Sequence, residues 1–181
     1  RMGVLFLDGR EAKRKDGAMT LRFAAVTRDA APEPDTRLDE RVCDCCQTDA
    51  ALTDEGPILV YRDRSAAEIR DIGVVRLTTA GWTAPQLVHA DGWHMTGCPV
   101  NGPAIDARGR DVAVAWFTAP DRPRVRLAFS SDSGRTFSPH VEVAAGAVAG
   151  RVDVVLLDDG RAVVSWLADA PGGAEFVDEV E

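Results

Sequence analysis

Four short apolar runs end in an aromatic residue and recur at nearly constant spacing: Val4-Leu5-Phe6, Leu59-Val60-Tyr61, Val114-Ala115-Trp116 and Val164-Ser165-Trp166. The intervals from Phe6 to Tyr61, Tyr61 to Trp116 and Trp116 to Trp166 are 55, 55 and 50 residues. Each run is followed by a second β-rich stretch: Leu21 to Val26, Ile72 to Leu77, Val125 to Phe129 and Glu175 to Val180. Turn residues precede three of the four, at Asp54-Glu55-Gly56, Arg108-Gly109 and Asp158-Asp159-Gly160, and a further short apolar stretch lies upstream of each turn. Gln86 to Val88 and Val141 to Val143 supply a fourth strand to two units. No segment sustains a 3.6-residue period, so helix is minor.

Four-stranded repeats of about 40–50 residues are the mark of propeller blades. A pair of stacked antiparallel sheets also shows strands and turns at regular spacing, but the even register favours the propeller. The expectation is an all-β, partial β-propeller of about three to four four-stranded antiparallel blades. It forms one domain over 1–181, with incomplete blades at 1–38 and 150–181 and whole blades at 39–90 and 98–144. Three to four blades would leave strand edges open unless further blades or a second copy of the chain completed the ring. Because the chain starts at Arg1 without a leader pattern, it reads as part of a longer product.

Composition narrows the partners. With 21 Lys and Arg against 29 Asp and Glu, the net charge of −8 lacks the basic footprint that nucleic-acid binding requires. No apolar run approaches the ~18 residues that span a membrane.

The sharpest motif is Ser130-Ser131-Asp132-Ser133-Gly134-Arg135-Thr136-Phe137. It resembles the Asp-box, Ser/Thr-x-Asp-x-Gly-x-Thr-Trp/Phe, of the sialidase-like (BNR-repeat) propellers. Asp132 and its neighbouring hydroxyls can bond turn amides, Gly134 can supply positive φ, and the aromatic ring packs into the blade. Ser130, Asp132, Gly134, Thr136 and Phe137 are therefore structural. Thr78 to Trp82 is a decayed copy without the acid.

In an up-and-down blade the turn between strands three and four lies at one end. The loop before strand one and the loop between strands two and three share the other. That second end, here the near end, collects Cys43, Cys45 and Cys46 on one loop and Trp93, His94 and Cys98 on another. Cys43 and Cys98 are one repeat apart, so all four cysteines converge with His94 nearby. Disulfides, as suit an exported protein, a soft-metal site for zinc or copper and free buried thiols all fit this pattern; no cofactor is certain.

Arg62, Asp63, Arg64, Glu68, Arg70 and Asp71 reach the same rim from one blade, and Asp121, Arg122 and Arg124 from the next. Arg62 stands where the other blades have Leu7, Phe117 and Leu167. Such an arginine suits either a carboxylate ligand or an internal pair with Asp63, Glu68 or Asp71. Tyr61 occupies a slot filled elsewhere by Phe6, Trp116 and Trp166, which packing explains. His89 and His140 read as surface or packing residues.

Sialidase-like enzymes release terminal sialic acids from glycans, gripping the carboxylate with three arginines and using a tyrosine nucleophile. The resemblance implies a glycoside hydrolase acting on a terminal acidic sugar, or a piece of one. Only Arg62 or Arg64 could match an arginine of the trio and Asp63 or Asp71 the acid. Arg62, Glu68, Arg70, Trp93, Arg122 and Arg124 would contact substrate. The usual Arg-Ile-Pro signature is absent, so this chain alone should not run the whole reaction. A non-catalytic propeller binding a glycan or protein partner is the alternative.

Overall fold

The structure, a computed structural model, describes residues 2–26 and 34–168, together with the backbone of 178–180. Every regular element among them is a strand, and all pairings are antiparallel. The first sheet is β1 (Met2–Asp8), β2 (Met19–Val26) and β3 (Thr36–Val42). The second comprises β4 (Asp49–Thr53), β5 (Gly56–Arg62), β6 (Ile72–Thr78), the two-residue β7 (Gly81–Trp82) and β8 (Gln86–His89), which pairs with β6. The third runs β9 (Ala104–Arg108), β10 (Asp111–Thr118), β11 (Arg124–Ser130) and β12 (Val141–Ala145). The fourth holds β13 (Val148–Leu156), β14 (Ala162–Ala168) and β15 (Asp178–Val180).

The central strands explain how the sheets stack. Along β5, Ile58 and Val60 face the third sheet while Leu59 and Tyr61 face the first. Along β10, Val112, Val114 and Trp116 face the second sheet, and Ala113, Ala115 and Phe117 face the fourth. A strand covered on both faces must be apolar at every position, which is why these runs stand out in the sequence. The three core clusters join first to second, second to third and third to fourth sheet. At the inner edge β4 lies beside β9 and β9 beside β13. Asp49 accepts the Ile105 amide at 2.9 Å and Asp106 the Leu156 amide at 2.8 Å, so a carboxylate ties each innermost strand to the next. This is a partial propeller.

Two sequence expectations shift. The outer strand of the first blade extends through Val42, so position 39 falls inside β3, which pairs with β2. Its inward residues, Leu38 and Val42, pack with Leu59 and Tyr61. The expected final strand begins at 175, but residues 175–177 lie outside the described residues and β15 covers only 178–180.

The segment Ser130–Phe137 closes the turn between β11 and β12. Asp132 accepts the Thr136 amide at 2.9 Å and its hydroxyl at 2.7 Å, while Ser130 Oγ takes the Gly134 amide at 2.9 Å. Burial would raise the Asp132 pKa, but the bonds from Thr136 and Ser130 outweigh it and hold the carboxyl well below the usual range. Gly134 sits at φ 76°, and a Cβ there would lie 2.1 Å from Ile58 Cδ1. The turn thus docks on the second blade, with Phe137 packed against the shared core.

Candidate functional site

The loops expected at the near end do meet there. The Cys43 amide bonds the Arg62 carbonyl at 3.0 Å, the Arg70 amide bonds Trp93, and the Met95 amide bonds Glu68. Gln47 and Gly102, one repeat apart, exchange two hydrogen bonds.

Sulfur occupies the middle of this end. The Sγ atoms of Cys43, Cys45 and Cys46 all lie within 4.8 Å of one another. Cys45 is joined to Cys98 in a disulfide, with Cα atoms 6.4 Å apart, and so links the second blade's loop to the third's. Cys43 and Cys46 remain thiols, both buried, their sulfurs 3.1 Å apart. A hydrogen bond joins the two sulfurs. The bond from Cys46 draws the Cys43 pKa down, helped by Arg70 and Arg62, and the same bond drives Cys46 up. His94 is exposed and its backbone bridges Ile69; it is not among the groups that gather at the sulfurs.

Arg62 is the keystone beneath the cluster, at 1% exposure. Its Nε donates to the Asn101 carbonyl at 2.6 Å, one terminal nitrogen to the Phe117 carbonyl at 2.6 Å, and the other to the Arg70 carbonyl. Its guanidinium also lies 4.9 Å from the Trp93 ring centre. Burial lowers its pKa against the opposing pull of Cys46, Cys43, Asp91 and Asp71. The side chain therefore faces main-chain carbonyls instead of either a substrate or the expected carboxylate partners. Trp93, itself buried, stacks on Arg62 and offers no open platform.

Asp71 is buried too and accepts the Gly92 and Trp93 amides at 3.0 and 3.1 Å, fixing the loop that carries Cys98. Asp63 is half-buried. Burial pushes its carboxyl up to about 6 against the pull of the Arg64 amide, and Asp39 and Asp71 add to the rise. Glu68, half-buried, is held between the half-buried Arg64, at 2.9 Å, and the buried Arg70, at 2.7 Å. Arg64 also reaches Asp44 at 3.4 Å. Arg122 and Arg124 turn instead toward Glu142 on β12, at 3.4 and 3.3 Å, and Arg124 pairs with Asp121. Tyr61 donates to Asp39 at 2.5 Å, and its burial drives the phenol's pKa upward, opposite to what a nucleophile requires.

Sequence reasoning missed one polar array. The buried Asp91 carboxylate accepts from Trp116 Nε1 at 2.7 Å, bonds His89 Nδ1 at 2.8 Å and pairs with Arg126. His89 Nε2 in turn lies 3.0 Å from His140 Nδ1. The two histidines are 51 residues apart, close to the repeat interval, which is the signal that could have found them. A hollow of about 500 Å³ lies at the opposite end, beside Ser130, Thr136 and Phe137.

No protein-family model matches the chain, and no curated protein matches it by sequence. Solved structures with a similar fold include an endo-arabinase from Bacteroides thetaiotaomicron, at 15% identity and TM-score 0.49, over 93% of this chain and 72% of that one. A variant of the NanB sialidase from Streptococcus pneumoniae is similar at 12% identity and TM-score 0.48, over 96% of this chain. The chain spans 34% of that sialidase's length.

Proposed function

We propose that this chain is part of a sialidase-like, glycan-binding propeller, exported from the cell, whose near end meets a terminal acidic sugar. The observation that carries the reading is the pairing of a closed Asp-box turn at the far end with the half-buried Arg64–Glu68 pair, backed by the buried Arg70, at the other. The role is binding and not turnover by this chain alone, because Arg62 and Asp71 are committed to backbone groups. The disulfide suits an exported protein, and no helix among the described residues is long and apolar enough to cross a membrane. Further blades, or a second copy, would complete the ring. Calorimetry with N-acetylneuraminic acid tests the reading. Arg64→Ala should weaken binding ~10-fold or more, as loss of a charged partner does. The far-end variant Arg135→Ala should leave it unchanged. Absence of binding by the unaltered chain would overturn the reading.

One further observation favours a second role. Three sulfurs within 4.8 Å, beside two guanidinium charges, would suit a soft metal ion such as zinc or copper once the Cys45–Cys98 disulfide is reduced.

A further inference from the structure

Resting on that soft-metal reading, we propose that Cys43, Cys45, Cys46 and Cys98 form a single four-thiolate site for one closed-shell thiophilic cation, Cu⁺ or Zn²⁺. The Cys45–Cys98 disulfide is the locked form of this site, from which metal is excluded.

The geometry supplies each part. Around a tetrahedral ion with metal–sulfur bonds of about 2.3 Å, ligand sulfurs stand about 3.8 Å apart. Cys43 and Cys46 are already at 3.1 Å, and the Cys45 sulfur lies within 4.8 Å of both. Cys98 reaches the group through its bond to Cys45. Four thiolates around one such cation leave a net negative charge, which a buried site must offset. Arg62 and Arg70 provide positive charge that acts on Cys43, and Arg62 acts on Cys46 as well.

The lock is reachable from solvent. Cys98 is exposed and Cys45 half-buried, whereas Cys43 and Cys46 are buried. A dithiol reductant attacks Cys98 Sγ as its thiolate, and Cys45 departs as thiolate. The reductant's second thiol then displaces Cys98, leaving the reductant as its own disulfide. Two electrons and two protons pass to the protein, and Cys45 and Cys98 become thiols. An incoming cation displaces the thiol protons as it binds. Re-oxidation of Cys45 and Cys98 by a disulfide oxidant removes two of the four ligands and ejects the ion.

The test compares one chain in two redox states. Air-oxidised protein should show two reactive thiols on unfolding and dithiothreitol-reduced protein four, counted with a thiol reagent. Each form is titrated anaerobically with Zn²⁺ against a chromophoric chelator and with Cu⁺ against bicinchoninate, the two arms identifying the preferred ion. The reduced chain should bind one equivalent, with all four cysteines then protected from alkylation. The oxidised chain should bind ~100-fold more weakly or less. Cys98→Ser, kept reduced, should lose the fourth ligand and bind with intermediate affinity, and it cannot form the Cys45–Cys98 lock. Equal affinity in both redox states, or Cys98→Ser binding as tightly as the reduced chain, would overturn the lock while leaving a soft-metal site. No binding by the reduced chain would overturn both.

Discussion

At the scale of single residues, one buried and one half-buried charge shape the near end. Arg62 replaces a leucine-like position and spends its donors on carbonyls from Asn101, Arg70 and Phe117, two of them in the next blade. Arg62→Leu restores the residue type of the other blades but leaves those acceptors dry. It should cost about 3 kcal/mol or more in urea unfolding, and Arg62→Lys, lacking the planar fork, should recover only part. The oddity of Arg62 was legible in the sequence; its partners were not, because main-chain carbonyls carry no residue signature. Asp63 makes the opposite prediction. Its folded pKa of about 6 lies above its unfolded value, so the folded state binds more protons between about pH 4 and 6 and loses stability as pH rises through that window. Asp63→Asn should remove this slope, leaving the variant more stable than the parent at pH 7 by about 1 kcal/mol, since solvent screens part of the charge. Equal slopes for variant and parent in thermal melts from pH 4 to 7 would refute the assignment.

At the scale of elements, strands covered on both faces announced themselves and outer strands did not. β5 and β10 are almost wholly apolar because each packs between two sheets. β3, by contrast, reads Thr-Arg-Leu-Asp-Glu-Arg-Val and turns only Leu38 and Val42 into the core, so its polar pattern hid it behind a misplaced blade boundary. The bonds of the Ser130–Phe137 turn were legible because they are local. Gly134→Ala should destabilise by about 1–3 kcal/mol, through the strained φ and the contact with Ile58, and Asp132→Ala by about 1–2 kcal/mol. Both changes lie at the opposite end of the blades from the cysteines, so metal binding by the reduced chain should be unaltered.

The His89–His140 pair adds a pH signature to the joint between the second and third blades. Burial, then Arg126 and His89, lowers the His140 pKa, opposed by Asp91 and Glu142. The unfolded chain therefore takes up the proton first as pH falls below about 6.5, and stability declines in that window. His140→Gln should flatten the decline in melts between pH 5 and 7.

For the whole molecule, function follows from register. Cys43 and Cys98 lie 55 residues apart, the repeat interval, and stacking of the blades brings the loop that carries Cys43, Cys45 and Cys46 against the loop of Cys98, where Cys45 and Cys98 join. The sequence made the convergence of four cysteines readable, but not which of them pair. That choice depends on loop paths fixed by Asp71 and Arg62. Peptide mapping of the air-oxidised chain under non-reducing conditions tests this most directly. A cross-linked peptide pair containing Cys45 and Cys98, with Cys43 and Cys46 both alkylated, is the result expected. A Cys98 peptide that is free, or joined to Cys43, would contradict the loop paths and the cysteine pairing described above.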